Sequence, residues 1–208
     1  MFDIMAALAG VIVLAPLLAV AAAAVRLGSA GSVFFRQERI GRGGRPFFIL
    51  KFRTMVSDAA KLGGPITFGD DPRITRVGRL LRKTKLDELP QLFNVLAGQM
   101  SLVGPRPEVR RYVDMFREDY NVILQVRPGI TDLASIKYRD EAAVLGGAAD
   151  PEQEYVRVVL PEKIRLAKEY VARRSFRLDL AILFGTAFSL ARDRVPRPSH
   201  RNGVKEGP

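Results

Sequence analysis

The chain contains no cysteine and no tryptophan, and its only histidine is His200 among 208 residues. The absence of cysteine excludes thiol nucleophiles, disulfides and thiolate metal sites. A single histidine in a polar tail argues against a Ser–His triad and against a histidine metal cluster. Any catalytic chemistry must therefore rest on carboxylates, Lys, Arg, Tyr, hydroxyl groups or a hard metal ion.

Negative charge is also scarce, because 33 Lys and Arg face 22 Asp and Glu, giving a formal net charge of +11. Such an excess favours anionic partners, namely lipid headgroups, phosphorylated substrates or nucleic acid. We expect no nucleic-acid partner, because the chain shows no recognition module and its apolar N-terminal segment would be hard to explain in such a protein. A salt-dependent affinity for DNA would contradict that expectation.

Residues 2–25 form one long apolar run in which Asp3 is the single charge. A helix of that length, rising about 1.5 Å per residue, could cross a hydrocarbon layer of about 30 Å. Pro16 predicts a kink near the middle, because a mid-helix proline removes a hydrogen bond and clashes with the preceding turn. Both a kinked crossing and a re-entrant hairpin remain open. A buried core helix and a cleaved signal peptide are the alternatives, although a signal peptide would begin with positive charge.

Basic residues follow the apolar run and predict that its C-terminal flank is cytoplasmic; they are Arg26, Arg36, Arg39, Arg42 and Arg45. Beyond it, two short apolar runs flank a Gly-rich basic loop at 39–45, which predicts a β-hairpin and could approach phosphate or be an ordinary surface turn. Arginine recurs every three residues from Arg73 to Arg82. This spacing predicts an amphipathic helix whose cationic side lies at a membrane interface or in solvent.

The remaining patterns predict a small α+β, mostly helical fold with little sheet. Further helices are expected at 92–103 with a break near Gly98, and at 108–120 and 161–174. The apolar stretch 178–190 could rest on the membrane plane or cover the core. We divide the chain into a membrane-inserted anchor helix at 1–26, a catalytic domain with interfacial amphipathic helices at 27–192, and a disordered tail at 193–208.

Two adjacent carboxylates, Asp87 and Glu88, precede Pro90 in a basic segment. Because proline is best tolerated in the first turn of a helix, both should lie at or just before a helix start, where partial positive charge favours carboxylate and attracts phosphate. Adjacent carboxylate oxygens could hold Mg²⁺ together with a substrate phosphate. An ionised Asp could also attack phosphorus and form an acyl phosphate. Acidic residues are common at helix starts for structural reasons alone, so the pattern leaves both readings open.

Six stretches resemble the monotopic phosphoglycosyl transferases, bacterial enzymes that begin lipid-linked glycan assembly. In the family's order they are VFFRQERIG at 33–41, KFRTM at 51–55, DPRITRVG at 71–78, LDELPQLFNVL at 86–96, MSLVGPRP at 100–107 and RPGIT at 127–131. The resemblance implies an enzyme of the bacterial inner membrane with its catalytic domain facing the cytoplasm. It also implies transfer of a sugar 1-phosphate from a UDP-sugar to polyprenyl (undecaprenyl) phosphate, with release of UMP and Mg²⁺ as cofactor.

The resemblance assigns roles residue by residue. Asp87 would attack the sugar-bearing phosphate and carry it as a covalent aspartyl phosphosugar, and Glu88 would support the metal site, so both are expected to be catalytic and to hold Mg²⁺. Four basic residues are expected to bind substrate, with Arg106 toward the nucleotide; they are Lys51, Arg82, Arg106 and Arg127.

The chain departs from the family pattern in its anchor and in one loop. The family's anchor is a re-entrant helix broken at a Ser-Pro step, whereas Ala15 precedes Pro16 here. Asp132 stands where many members have Gly. The rival interpretation is a non-catalytic basic membrane-bound scaffold or regulator, which would need no metal and would tolerate Asp87→Asn. The sequence leaves the sugar, the glycan pathway and the oligomeric state open.

Overall fold

The structure is a computed structural model that describes residues 1–62, 71–138, 141–148 and 150–191. The predicted tail at 193–208 lies outside these residues. The helices are α1 Phe2–Gly28, α2 Ala59–Leu62, α3 Arg76–Thr84, α4 Gln91–Leu96, α5 Arg110–Met115, α6 Arg117–Ile123, α7 Leu133–Lys137, α8 Glu141–Gly146, α9 Pro151–Glu154, α10 Leu160–Arg173 and α11 Phe176–Ala191. The strands are β1 Phe34–Ile40, β2 Pro46–Phe52, β3 Ser101–Val103 and β4 Gly129–Thr131. The prediction of a mostly helical α+β fold is confirmed.

Helix α1 is long and apolar enough to cross a membrane by length and composition, and it continues through Pro16. Its N-terminal half packs through Ala7 against Leu92 of α4. Its C-terminal half packs through Val25 against Leu81 of α3. The opposite side of α1 exposes large apolar side chains: Ile4, Met5, Leu8, Ile12, Val13, Leu17 and Val20. One face of the helix is therefore part of the domain core along its length, and the other presents an apolar surface.

Strands β1 and β2 form the predicted antiparallel hairpin, with Phe34 opposite Phe52 and Ile40 opposite Pro46. The loop between them turns at Gly43 and Gly44, whose φ angles are +68° and +75°. Glycine adopts this left-handed region without the steric penalty of a side chain. The hairpin places its last residues, 50–52, beside the segment that follows α3.

Strands β3 and β4 pair in parallel and bring together two segments that are distant in sequence, with Ser101 opposite Gly129 and Val103 opposite Thr131. The following loop lies so close to β4 that a Cβ on Gly129 would be 2.1 Å from the Gly104 nitrogen. The segments GPRP at 104–107 and RPGIT at 127–131 therefore lie side by side with their backbones in close contact.

Three predicted helices differ from the observed ones. The helix predicted at 108–120 is divided into α5 and α6 at Phe116, whose φ and ψ are −118° and 44°. The helix predicted at 92–103 ends at Leu96, because Gly98 has a φ of +72° and residues 101–103 instead extend to pair with β4. The arginine-rich helix begins at Arg76 after the N-cap Thr75, whose hydroxyl accepts from the Gly78 nitrogen at 2.9 Å. Arg73 is outside it, buried in an ion pair with Asp71 at 2.6 Å. Pairing with β4 extends residues 101–103, and an antiparallel β-bridge between Ile74 and Met55 keeps the residues before Thr75 out of α3.

Gly78 of α3 packs against the backbone of Thr54, just after β2. A Cβ at this position would be 2.0 Å from the Thr54 carbonyl oxygen, so the backbone would have to move. We expect Gly78→Ala to lower the free energy of unfolding by about 1–3 kcal/mol, the usual cost of overpacking. Thermal unfolding of the purified protein in detergent measures this as a lower Tm. Gly147→Ala is the control, since nothing lies within 4 Å of its Cβ; equal Tm values for the two variants would contradict the proposed contact.

Candidate active site

A tight reversal after α3 places the two carboxylates. Lys85 adopts a left-handed conformation, with φ +58°, and is the one non-glycine residue with positive φ in the described part of the chain. A 3-10 turn at Leu86–Glu88 follows, and Pro90 leads directly into α4. The prediction that both carboxylates lie just before a helix start is therefore confirmed. Strained backbone of this kind costs about 1–3 kcal/mol and concentrates at functional sites.

Glu88 is held by two cations from different segments. Lys51 of β2 donates to Oε1 at 2.9 Å, and Arg106 donates to Oε2 at 3.1 Å and also to Oε1. Burial alone would raise the pKa of Glu88, but the charges of Arg106 and Lys51 and their hydrogen bonds hold it well below its usual value. Glu88 is therefore an anion in which both oxygens are already engaged.

Asp87 is buried beside this cluster but does not share its pairing. Its Oδ1 has no hydrogen-bond partner among the described protein atoms. Burial raises the pKa of Asp87, and the positive charge of Lys51 acts in the opposite direction. The two neighbouring carboxylates thus differ, because Glu88 is bound on both oxygens while Asp87 keeps an oxygen available for chemistry.

Arg82, in the last turn of α3, interacts electrostatically with Asp87. Its Nε donates to the Thr54 hydroxyl at 2.8 Å. Burial lowers the pKa of Arg82, an effect that the nearby charge of Asp87 opposes. The last turn of α3 therefore contributes a cation whose orientation is set by the end of the hairpin.

Arg106 is positioned through both its side chain and its backbone. Its Nη1 also donates to the Ile130 carbonyl at 3.3 Å, and its backbone nitrogen donates to Asp132 Oδ2 at 3.1 Å. The other carboxylate oxygen of Asp132 accepts from the Ser135 nitrogen at 2.6 Å and caps α7. The negative charge of Glu88 raises the pKa of Arg106. Asp132, which the sequence marked only as a departure from the family pattern, thus supports the site from behind.

The four predicted substrate-binding residues do not all contact the carboxylate pair. Lys51 and Arg106 contact Glu88 directly, and Arg82 interacts electrostatically with Asp87. The side chain of Arg127 is exposed, and no hydrogen bond or ion pair joins it to the site among the described residues. The structure brings the first three together with the carboxylates and leaves Arg127 apart from them.

Sequence reasoning missed Gln91, the first residue of α4. It is fully buried, and neither its Nε2 nor its Oε1 has a hydrogen-bond partner among the described protein atoms. An unpaired buried amide costs about 1–3 kcal/mol of stability. The signal was present as a glutamine four residues after Asp87, but burial without a partner is visible only in three dimensions.

The carboxylate oxygens of this pair suit a metal ion that takes most of its ligands from the substrate. Mg²⁺ in phosphate-binding sites takes one or two carboxylates and completes its coordination with water and phosphate oxygens. Asp87 Oδ1 could supply one such ligand, whereas both oxygens of Glu88 already accept from cations. Among the described residues no group of three or more Asp, Glu, His or Cys could form a metal cage. The geometry therefore favours Asp87 over Glu88 as the ligand from this pair.

Comparison with known proteins identifies a family. Residues 1–193 match the family model described as bacterial sugar transferase. A protein named UDP-glucose:undecaprenyl-phosphate glucose-1-phosphate transferase, from Caulobacter vibrioides, is 41% identical over 195 residues, covering 90% of this chain and 67% of that protein. The exopolysaccharide production protein PSS of Rhizobium leguminosarum is 38% identical over 197 residues, covering 90% of this chain and 92% of that protein.

A third relative carries a different sugar in its name. The UDP-N-acetylgalactosamine-undecaprenyl-phosphate N-acetylgalactosaminephosphotransferase of Aeromonas hydrophila is 40% identical over 187 residues. The match covers 88% of this chain but only 41% of that protein. The chain thus spans less than half of one relative and nearly all of another.

Asp132→Ala tests whether this carboxylate holds the Arg106 loop. We expect a lower Tm, because the loss of a helix cap costs about 0.5–2 kcal/mol and the partly buried Arg106 nitrogen also loses its acceptor. Hydrogen exchange should accelerate at the amides of Gly104, Arg106 and Glu108 as well as at α7.

The control is Asp150→Ala, which removes an exposed cap that accepts from the Glu152 and Gln153 nitrogens at 3.0 Å. It should affect only α9. Unchanged exchange at 104–108 in Asp132→Ala would show that Asp132 does not position Arg106.

Proposed function

The chain belongs to the bacterial sugar transferase family, and from that premise we propose that it moves a sugar 1-phosphate from a UDP-sugar to undecaprenyl phosphate and releases UMP. The names of two relatives each specify a UDP-sugar donor and undecaprenyl phosphate as acceptor. The observation that carries the proposal is the asymmetry of the carboxylate pair. Glu88 is neutralised by Lys51 and Arg106, whereas the buried Asp87 retains an unpaired oxygen beside them.

In the first step the Asp87 carboxylate attacks the sugar-bearing phosphorus of the UDP-sugar. A bond forms between the carboxylate oxygen and phosphorus, and the bond from that phosphorus to the bridging oxygen breaks. UMP leaves with the bonding electrons, and the protein keeps an aspartyl phosphosugar. Desolvation supports the attack, because an unpaired carboxylate in a site of low dielectric constant is a stronger nucleophile than a hydrated one.

In the second step an oxygen of undecaprenyl phosphate attacks the same phosphorus. The bond between phosphorus and Asp87 breaks, which restores the carboxylate and yields undecaprenyl diphosphosugar. Each step spreads negative charge over the non-bridging oxygens, and fixed cations stabilise that charge. We assign this role to Lys51 and Arg106, which bind Glu88, and to Arg82, which interacts electrostatically with Asp87.

We propose Mg²⁺ as the cofactor; Asp87 would help to hold the ion, which would neutralise charge on the donor phosphates. Arg106 is assigned to the nucleotide end of the donor. We propose Arg127 as a weaker substrate contact, because its exposed side chain could reach only a part of the substrate that projects from the site. A direct role for Glu88 as a second metal ligand requires that it release one of its cations.

We place α1 in the bacterial inner membrane as a helix that does not cross it, with the catalytic domain facing the cytoplasm. Near one end Asp3 accepts from the Ser101 hydroxyl at 2.7 Å, and the ring centroids of Phe2 and Phe176 are 5.2 Å apart. Near the other end Val25 packs on Leu81. A crossing helix would separate its ends by the full hydrocarbon thickness of about 30 Å, which is difficult to combine with both ends contacting one domain. These contacts favour the re-entrant alternative, and the kink at Pro16 stays a prediction.

Helix α11 extends the proposed membrane face. It exposes Phe176, Phe184 and Phe188, and Phe176 joins it to the beginning of α1. Arg174 and Arg177 are exposed at its start. Apolar side chains beside arginines are the composition of an interfacial helix that contacts lipid headgroups. This arrangement would hold the site near the headgroup layer, where a lipid-bound phosphate lies.

Asp87→Asn should abolish transfer, because an amide cannot form the aspartyl phosphosugar. We expect UMP release to fall by roughly 10³-fold or more, as for other covalent nucleophiles. The measurement is UMP release with Mg²⁺ and undecaprenyl phosphate over a panel of UDP-sugars, which also identifies the sugar. With donor alone, the wild-type protein should gain the mass of one sugar phosphate, and Asp87→Asn should not.

The control for this variant is Asp114→Asn, which changes an exposed carboxylate in α5. It should retain wild-type turnover. Full activity in Asp87→Asn would exclude Asp87 as the nucleophile and would favour the scaffold interpretation.

The absence of native cysteine allows a clean test of membrane topology. A cysteine added before Met1 and an Arg174→Cys variant report on the start of α1 and on the catalytic domain. If α1 returns to its side of entry, a membrane-impermeant maleimide should label both in inside-out vesicles and neither in intact cells. Labelling of only the N-terminal cysteine in intact cells would demonstrate a crossing helix.

A further inference from the structure

Two carboxamides in α4 have opposite environments. Asn94 accepts from the Leu50 nitrogen at 3.0 Å and donates to the Phe48 carbonyl and to Gln99 Oε1, both at 2.8 Å. Gln91 is one turn earlier, fully buried, and has no partner for either amide atom among the described protein atoms. Asn94 therefore attaches α4 to β2, whereas no contact of the fold explains the amide of Gln91.

Gln91 follows closely on the turn that carries Asp87. The backbone from the 3-10 turn through Leu89 and Pro90 keeps right-handed helical dihedrals into α4. With a rise of about 1.5–2.0 Å per residue, the four steps from Asp87 to Gln91 cover only about 6–8 Å along the axis. Two buried groups without partners among the described protein atoms, the Gln91 amide and Asp87 Oδ1, therefore belong to one short segment.

We propose that Gln91 is a catalytic residue whose Nε2 donates a hydrogen bond to a non-bridging oxygen of the phosphoryl group attacked by Asp87. This inference rests on the proposed function. The attacked group carries developing charge on three equatorial oxygens. Lys51 and Arg106 are both bound to Glu88, and Arg82 is hydrogen-bonded to Thr54. The Gln91 amide would add a neutral donor from α4.

A neutral amide suits this position better than a cation. A lysine or arginine at position 91 would add to the positive charges that already lower the pKa of Asp87, and a lower pKa would make the carboxylate a weaker nucleophile. An amide can donate to phosphate without adding charge. The buried amide would then be hydrogen-bonded only when substrate is bound. Exceptions to the rule that buried polar groups are paired are expected at functional sites.

Gln91→Met separates a catalytic role from a structural one, because the two side chains have similar shape and Met lacks the amide. We expect the Tm to stay the same or rise, since an unpaired buried polar group is replaced by an apolar one. We expect kcat for UMP release to fall about 10²-fold, as when a single charge-stabilising donor is removed. KM for the UDP-sugar should change much less, because the contact strengthens as charge develops.

Asn94→Leu is the matched control, because it removes a paired amide from the same helix. It should lower the Tm, since the Leu50 nitrogen and Phe48 carbonyl lose their partners, while kcat per folded molecule stays near that of the wild type. A wild-type kcat in Gln91→Met would overturn the catalytic role. A loss of activity accompanied by a Tm decrease as large as that of Asn94→Leu would also overturn it, in favour of structural support.

The wild-type chain measured in parallel distinguishes the two levels of the argument. If it releases no UMP from any UDP-sugar with Mg²⁺ and undecaprenyl phosphate, the transfer reaction is wrong and the role of Gln91 fails with it. If it does release UMP and Gln91→Met does so equally well, only the role of Gln91 is wrong.

Discussion

Glu88 is the contact on which the site depends, because it joins three segments that no local structure would bring together. Its carboxylate binds Lys51 from the hairpin and Arg106 from the loop after β3, while Glu88 itself belongs to the turn after α3. A half-buried anion needs such partners, and removing one of them would leave an uncompensated charge. The same pairing places two cations beside Asp87 without consuming the carboxylate of Asp87.

The neighbouring groups are arranged for chemistry at the expense of stability. Asp87 Oδ1 and the amide of Gln91 are buried without partners among the described residues, and Lys85 adopts a left-handed conformation that disfavours a side chain. Each feature costs free energy in the resting protein, and each lies within seven residues of chain. The remainder of the domain compensates through satisfied contacts, such as the paired amide of Asn94 and the Asp132 cap behind Arg106.

The relation of α1 to the domain couples the site to the bilayer. Helix α1 is part of the domain core, because Ala7 packs in one cluster with Leu92 and Val25 packs in another with Leu81. Those clusters support α4 and α3, the two helices that flank the carboxylates. Under the proposed function, the depth and angle of α1 in the lipid therefore determine where the lipid-bound phosphate meets Asp87.

The sequence by itself determined the class of chemistry and most of the elements. Without cysteine and with one histidine, the available groups were carboxylates, Lys, Arg, Tyr, hydroxyls or a hard metal ion. The motif pattern made Asp87, Glu88, Lys51, Arg82 and Arg106 the candidates. The hairpin and α10 also followed from local patterns. Tertiary structure alone decided that residues 101–103 form a strand, that Arg73 is buried outside α3 and that Arg127 is exposed. It also decided that Asp132 accepts from the Arg106 nitrogen and that the Gln91 amide is buried without a partner among the described residues. Pairing and burial depend on what distant segments supply, and no local pattern of residues encodes that.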